Sequence, residues 1–163
     1  MKAAMILFST AFLLLAGCKY DAPFVVEHRI AVDASVLGLW ANADRPDEQM
    51  MVLKYSDTEY MVHYPVGEDG LYYRAWPVNL GGVSFVQIQV IGTGAGLPEP
   101  EDTELFYAVS YQVSGETLEL KTLNTDLVPE SLQTTDDLKN AFLQVKENGE
   151  LFDNPLTFRR VEK

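Results

Sequence analysis

Short runs in which apolar and polar residues alternate follow one another along the chain from residue 36 onward. Runs of this kind, rich in β-branched and aromatic residues and separated by turn residues, are typical of β-strands. The pattern predicts strands at 36–41, 50–55, 59–64, 71–80, 83–91, 105–113, 117–123 and 156–161. Residues 25–32 are a candidate for one more strand. Because several connections are short enough for hairpins, we expect a mainly β fold, an antiparallel meander forming a barrel or a sandwich of about eight strands.

The alternation also predicts the inward face of each strand, since every second side chain lies on the same side of a sheet. The residues predicted to point inward are Met51, Leu53, Tyr55, Tyr60, Val62, Tyr64, Val86, Ile88, Val90, Leu105, Tyr107, Val109, Tyr111, Val113, Leu118 and Leu120. The polar residues between them, such as Gln87 and Gln89, are predicted to face water. On the first strand, Trp40 shares its face with Val36 and Gly38 and is predicted to point inward.

One helix is predicted before the last strand, at 134–149. Its apolar residues have helical spacing and form a single stripe, made of Leu138, Ala141, Phe142 and Val145. We expect this helix to pack on the outside of the barrel or to plug one of its ends.

The N-terminal residues have a different pattern. Residues 3–16 are apolar apart from Ser9 and Thr10, and Lys2 precedes them. A charged start, a short apolar core and a small-residue end are typical of a secretory signal peptide, and the run is shorter than the ~20 residues that span a bilayer. The only cysteine of the chain, Cys18, follows directly. Because the rest of the chain has no thiol, neither a disulfide nor a cysteine-based metal site is expected in the folded domain.

The residues Leu15-Ala16-Gly17-Cys18 resemble the lipobox of bacterial lipoproteins. The resemblance implies cleavage after Gly17 and lipidation of Cys18, whose acyl chains would hold the mature protein at a lipid bilayer. In Gram-negative lipoproteins an aspartate after the cysteine is associated with retention in the inner membrane. Here Lys19 follows the cysteine, so the resemblance favours the outer membrane of a Gram-negative bacterium, on its periplasmic side. The alternative is an ordinary signal peptide, or an N-terminal anchor helix, with an incidental cysteine.

These patterns divide the chain into a signal peptide at 1–17, a lipidated N-terminus and tether at 18–30, and a single domain at 31–163. The formal net charge is −12 and becomes one unit more negative when Lys2 leaves with the signal peptide. Such acidity argues against nucleic acid as a partner, because its phosphates would repel the protein. It also argues against direct docking on anionic lipid. We expect a monomer.

The triplet Gly38-Leu39-Trp40 resembles the Gly-x-Trp signature on the first strand of lipocalins and related small barrels. The resemblance implies that a basic residue late in the chain packs on the tryptophan and closes the bottom of the barrel. Arg160, on the apolar face of the last strand, is the first candidate, and Arg159 is the candidate if the register differs by one residue. The chain departs from the family because its arginines follow the helix instead of preceding it, and because its domain is short and without disulfides.

Residues that could carry catalysis or bind a metal are sparse. His28 and His63 have no partners at ligand spacing, and no Gly-x-Ser-x-Gly motif occurs. The acidic residues within 92–104 could offer oxygen ligands to Ca²⁺, but they lack the glycine-punctuated spacing of a calcium loop. We therefore expect no metal, no cofactor and no enzymatic activity.

The aromatic residues of the strands are the candidates for ligand binding, together with one arginine that could contact rings through cation–π interactions. They are Trp40, Tyr60, Tyr64, Tyr72, Arg74, Trp76, Tyr107 and Tyr111. Two functions fit a non-catalytic, membrane-tethered lipoprotein: binding of a small apolar or amphipathic ligand inside the barrel, or an acidic envelope interaction or inhibitor module for a basic protein partner. The interior volume separates them, since an eight-stranded barrel has room either for its side chains alone or for one small ligand.

Overall fold

Eight antiparallel strands and one α-helix form the fold of the described residues. The computed structural model describes residues 19–97, 99 and 105–162, so the predicted signal peptide and Cys18 lie outside the described residues. The strands are β1 (Gly38–Asn42), β2 (Gln49–Lys54), β3 (Tyr60–Tyr64), β4 (Leu71–Leu80), β5 (Val83–Thr93), β6 (Phe106–Ser114), β7 (Thr117–Leu123) and β8 (Phe152–Arg160). The helix α1 (Thr135–Val145) lies between β7 and β8, as predicted, and a 3-10 turn (Ala34–Val36) precedes β1.

The sheet closes on itself and forms a barrel. Each strand pairs with the next one in the chain, and β8 pairs with β1. The closing pair places Trp40 opposite Arg160 and Asn42 opposite Phe158. Closure satisfies the strand edges that an open sheet would expose. Of the two predicted architectures, the fold is therefore the barrel.

The inward face of β2 differs from the predicted one. Met50 and Val52 are buried in the interior, whereas Leu53 and Tyr55 point outward and are 49% and 65% exposed. The prediction was wrong because β2 is apolar on both faces, so alternation alone does not determine its register. All predicted inward residues within β3, β5, β6 and β7 except Val109 belong to the interior cluster, and Val109 is also buried and lines the barrel interior.

A second apolar cluster lies on the outside of the barrel, beneath α1. Leu138 and Phe142 of the helix are fully buried, and the ring of Phe142 packs on Phe85 of β5 with 5.2 Å between centroids. The helix begins at a polar cap, because the Thr134 hydroxyl accepts a hydrogen bond of 3.1 Å from the backbone nitrogen of Asp137. The helix thus occupies the outer wall, the first of its two predicted places.

Residues 20–32, which we call the strap, cross the outside of the barrel as an irregular extended segment. They include residues 25–32, the candidate for an extra strand, and no strand forms there. Tyr20 and Phe24 are fully buried, and the backbone of Tyr20 pairs with that of Phe106 through hydrogen bonds of 2.9 and 2.8 Å. Most of the predicted tether is therefore packed against the domain, because its two aromatic rings fill the outer cluster.

Gln87 of β5 holds the strap in place. Its side chain points outward, as predicted, but it is fully buried because the strap covers it. The amide oxygen accepts hydrogen bonds from the backbone nitrogens of Phe24 (2.5 Å) and Val25 (3.1 Å), and the amide nitrogen donates to the Val25 carbonyl (3.0 Å). The strap thereby satisfies buried backbone groups without pairing as a strand.

The connections between strands alternate between the two ends of the barrel. We call the end at which β1 begins the Trp40 end. It carries the 3-10 turn and the connections that follow β2, β4 and β6. We call the opposite end the loop end. It carries the connections that follow β1, β3, β5 and β7, and the last of these includes α1.

Candidate functional site

The interior of the barrel contains two adjoining cavities of about 80 Å³ each. The side chains that line both are Met50, Val62, Ile88, Val109 and Leu120. All five are apolar, so the shared wall offers no hydrogen-bonding group. Cavities with apolar walls stay dry and take up apolar molecules.

Trp40 and Arg160 close the barrel at one end. The guanidinium carbon of Arg160 lies 4.1 Å from the centroid of the Trp40 ring, so the predicted contact is confirmed, and Arg159 is not the partner. Arg160 Nη1 donates to the Leu37 carbonyl at 2.8 Å, and Nη2 donates to the Ser35 carbonyl at 2.7 Å. The stacking of the guanidinium on the indole contributes about 0.5–2 kcal/mol to stability. The hydrogen bonds of Arg160 hold the residues before β1 against the end of β8.

Gly38 makes room for this arginine. Its φ is +129°, and a Cβ built there would lie 3.0 Å from Nη1 of Arg160. The indole nitrogen of Trp40 donates to the Val36 carbonyl at 2.8 Å. The 3-10 turn is therefore fixed over the end of the barrel by the same tryptophan that stacks on the arginine.

Asp33 binds the two tyrosines at the rim of the Trp40 end. Its backbone nitrogen donates to the Tyr60 hydroxyl at 2.6 Å, and the Tyr111 hydroxyl donates to its carboxylate at 3.1 Å. The hydrogen bond from Ser35 lowers the pKa of Asp33, and burial raises the pKa of Tyr60 and of Tyr111. The hydroxyls are thus satisfied at the rim, while the two rings line the cavity beneath.

Tyr64 occupies the corresponding position at the loop end. Its hydroxyl donates to Glu48 at 2.9 Å, and Glu48 also pairs with Arg45 at 2.6 Å. Burial raises the pKa of Tyr64 to about 12. Its ring packs edge-on against Phe158, with 5.8 Å between centroids. Both rings line one of the two interior cavities, which we call the loop-end cavity.

The strand β8 is irregular where it borders this cavity. The pairing of β7 with β8 shifts register between Leu120 and Thr122, and Asn154 has a φ of 56°. Asn154 is exposed and also lines the loop-end cavity. The irregular part of β8 is therefore the place where this cavity approaches the surface.

Five of the residues predicted to bind a ligand belong to the interior cluster: Trp40, Tyr60, Tyr64, Tyr107 and Tyr111. Three of these five line the cavities. Tyr73, which is not among the predicted residues, also lines the loop-end cavity. The alternation of β4 contained the signal that would have found it.

The other three predicted residues lie on the outer wall, because the alternation of β4 directs Tyr73 inward and its neighbours outward. Tyr72 stacks on His63 with 4.1 Å between centroids. Trp76 is buried in the outer cluster, and the guanidinium carbon of Arg74 lies 5.4 Å from its ring. None of the three lines either interior cavity.

Glu59 is the centre of a polar cluster on the outer wall, in which it contacts Arg74 and His28. Its carboxylate accepts hydrogen bonds from Arg74 at 3.0 and 2.6 Å and pairs with Nδ1 of His28 at 2.7 Å. The hydrogen bond from Arg74 lowers the pKa of Glu59, and the same contact raises the pKa of Arg74. His28 belongs to the strap and also stacks on Trp76, 4.1 Å between centroids. This cluster therefore ties the strap to β4.

An apolar patch remains exposed on the outer wall of β2–β5. A cleft of about 280 Å³ lies there, lined by Tyr55, Tyr60, Met61, Arg74 and Ile91. Tyr55 and Ile91 are 65% and 36% exposed. The sequence does not predict this surface, because alternation along β2 assigns Tyr55 to the interior.

Among the residues that the structure describes, no group of three or more His, Cys, Asp and Glu side chains is placed to hold a metal ion. Within the same residues, no helix is both long and apolar enough to cross a membrane. No family model matches the chain, and no curated protein or solved structure matches it.

Proposed function

We propose that the protein is a non-catalytic lipoprotein of the bacterial cell envelope, anchored through Cys18 at the periplasmic side of the outer membrane, whose barrel binds one small apolar ligand. The observation that carries ligand binding is the pair of adjoining apolar cavities in the interior. The lipobox-like residues before Lys19 support the anchor. The stacking of Arg160 on Trp40 supports a lipocalin-like barrel.

The volume of the cavities limits the size of the ligand. Each cavity, at about 80 Å³, is smaller than the apolar site of about 150 Å³ that takes up benzene. The two together match that volume, and Met50 borders both. Because methionine is unbranched and flexible, Met50 is the side chain expected to move when the cavities join. The ligand we propose is therefore a single ring or a short alkyl chain.

The polarity of the walls limits the chemistry of the buried part of the ligand. A charged or unpaired polar group would lose its hydration against the apolar wall without finding a partner there. An amphipathic ligand would keep its polar group near Asn154, where the cavity approaches the surface. Its apolar part would extend inward past Tyr64 and Met50.

Calorimetric titration with 1-butanol, 1-hexanol, 1-octanol and 1-decanol tests this function. Affinity should rise by about 0.8 kcal/mol per buried CH₂ and then level off once the chain fills both cavities. Val62→Phe fills the shared wall and should abolish binding. Val26→Phe, at a position on the strap that is 73% exposed, is the matched control and should bind like the unmodified protein.

Either of two results would contradict ligand binding in the interior. One is the absence of binding for the whole series by the unmodified protein. The other is unchanged binding by Val62→Phe when its circular dichroism shows a folded barrel.

The anchor is tested separately by expressing the full chain in a Gram-negative bacterium with and without Cys18→Ser. The unmodified protein should fractionate with membranes and carry acyl groups on its N-terminal peptide, detectable by mass spectrometry, whereas the variant should carry none. An unmodified protein that reaches the envelope without acyl groups would exclude the lipid anchor.

Recognition of a basic envelope protein is the second candidate function. The exposed patch around Tyr55 and Ile91 and the formal net charge of −12 favour it. A photoreactive residue at position 55, on the patch, should form a discrete cross-linked adduct in intact cells, whereas one at Gln112, exposed elsewhere on the barrel wall, should not. No adduct at position 55, or the same adducts at both positions, would argue against a specific partner.

A further inference from the structure

The folded domain begins almost immediately after the residue proposed to carry the lipid. Tyr20 is fully buried and bonded through its backbone to Phe106, and its hydroxyl donates to the Val128 carbonyl at 2.8 Å. The backbone nitrogen of Lys19 donates to the carboxylate of Glu130 at 2.9 Å. The chain is thus attached to the barrel from its first described residue.

Only Lys19 lies between Cys18 and the buried Tyr20. One extended residue spans at most about 3.6 Å. A flexible linker of a dozen residues would have an average end-to-end distance of about 17–21 Å. The acyl chains on Cys18 would therefore leave the chain at the surface of the barrel and not at the end of a flexible arm.

The attachment point lies at the loop end. Phe106 is the first residue of β6, and β6 begins at the end of the barrel where β5 finishes. Val128 and Glu130 belong to the connection after β7, which is also at the loop end. The anchor consequently leaves the barrel at one defined end.

Two exposed apolar side chains lie at the same end. Leu97 follows β5 and is 89% exposed, and Val66 follows β3 and is 39% exposed. The two connections touch, because a Cβ on Gly94 would collide with the carbonyl of Glu68. The loop end thus presents two exposed apolar side chains, on connections that touch each other, at the same end of the barrel as the attachment point.

From this arrangement we infer that the lipidated barrel lies directly on the bilayer, with its loop end against the lipid headgroups and with Leu97 and Val66 in the interface. The inference rests on the proposed lipidation of Cys18. The surface it fits is a zwitterionic bilayer, because Glu68 and Asp69 at this end would be repelled by anionic lipid.

This orientation also affects the proposed ligand. Asn154, the third residue of β8, lies near the loop end, where β8 begins. The loop-end cavity that it lines would then approach the surface beside the bilayer. An apolar molecule could pass from the lipid into the barrel without crossing bulk water.

Site-specific fluorescence quenching tests the orientation. Since Cys18 is the only cysteine and would carry the lipid, one introduced cysteine can be labelled alone. Asp69→Cys places the label at the loop end, and Asp57→Cys, in the connection after β2, places it at the Trp40 end; both positions are exposed. The proteins are extracted from membranes, checked for acyl groups by mass spectrometry, and reconstituted in phosphatidylcholine vesicles with headgroup-attached quenchers.

The label at position 69 should be quenched several-fold more than the label at position 57. Inserting twelve glycine and serine residues between Lys19 and Tyr20 should reduce this difference, because the barrel would then move away from the bilayer. Equal quenching of the two labels in acylated protein would overturn the inference while leaving lipidation intact, as would an undiminished difference after the insertion. A protein without acyl groups would overturn the proposed anchor, and the inference with it.

Discussion

Replacing Gln87 by leucine is expected to release the strap from the barrel. The amide makes three hydrogen bonds to the backbone of Phe24 and Val25, and the side chain is fully buried. Leucine is of similar size but leaves two N–H groups and one carbonyl without partners. A hydrogen bond contributes about 0.5–1.5 kcal/mol net, and a buried group left unsatisfied costs about 1–3 kcal/mol. Because the Val25 groups are only partly buried and can regain water, we expect the free energy of unfolding to fall by about 3 kcal/mol.

Urea denaturation of the chain without its signal peptide, carrying Cys18→Ser, measures this change. Gln112→Leu is the matched control, because Gln112 lies on the outer face of β6 and is exposed, and its effect should stay within about 0.5 kcal/mol. Limited proteolysis should cut Gln87→Leu first within the strap. A loss of less than about 1 kcal/mol, or a loss no larger than that of Gln112→Leu, would refute the conclusion that Gln87 holds the strap.

Three further substitutions test other parts of the structure. Phe142→Ala should lower the free energy of unfolding by about 3–5 kcal/mol, whereas Leu143→Ala, at a position that is 40% exposed, should cost far less; equal effects in urea denaturation would place the helix at the periphery. Because its contact with Arg74 lowers the pKa of Glu59, the contribution of this carboxylate to stability is fully present above the pKa of unfolded glutamate, about 4.3, and is lost as the pH falls through the lower folded-state pKa. Glu59→Gln should therefore be less stable at neutral pH and depend less on pH below about 4.3, and identical acid denaturation curves would contradict this. Gly38→Ala, at a φ of +129° and against the stacked guanidinium, should cost about 1–3 kcal/mol and shift the tryptophan emission; an unchanged spectrum and stability would show that the contact tolerates a methyl group.

The resemblance of Gly38-Leu39-Trp40 to the lipocalin signature implied the contact that closes the barrel, and the parity of residues along the last strand favoured Arg160 over Arg159. Trp40 lies two residues after Gly38, and Arg160 lies two residues after Phe158, so each aromatic or basic side chain could be assigned to the inner face from alternation alone. Helical spacing likewise placed Phe142 on the buried face of α1. These features depend on neighbours within one element, and such local patterns are visible in a sequence.

The parts that could not be predicted depend on partners far away in the chain. On β2, both faces are apolar, and only pairing with β1 and β3 decides that Met50 points inward and Tyr55 outward. Alternation assigns Gln87 to the outer, solvent-exposed face of β5. It is buried only because the strap, with Phe24 63 positions away in the chain, folds across it. Tyr20 and Phe24 have no strand alternation around them, so their burial in the outer cluster left no local signal.

Because the first strand pairs with the last, we expect closure of the barrel to come late in folding. The bond from Arg160 to Leu37 joins residues 123 positions apart, whereas the hairpins of the meander join near neighbours. Forming such a distant contact costs more loop-closure entropy than any hairpin, and folds dominated by distant contacts form slowly. A chain truncated before β8 would keep β1 through β7 but leave the edges of β1 and β7 unpaired. Exposed edges of this kind recruit strands from other molecules, so a shortened protein should aggregate instead of remaining as a soluble partial barrel.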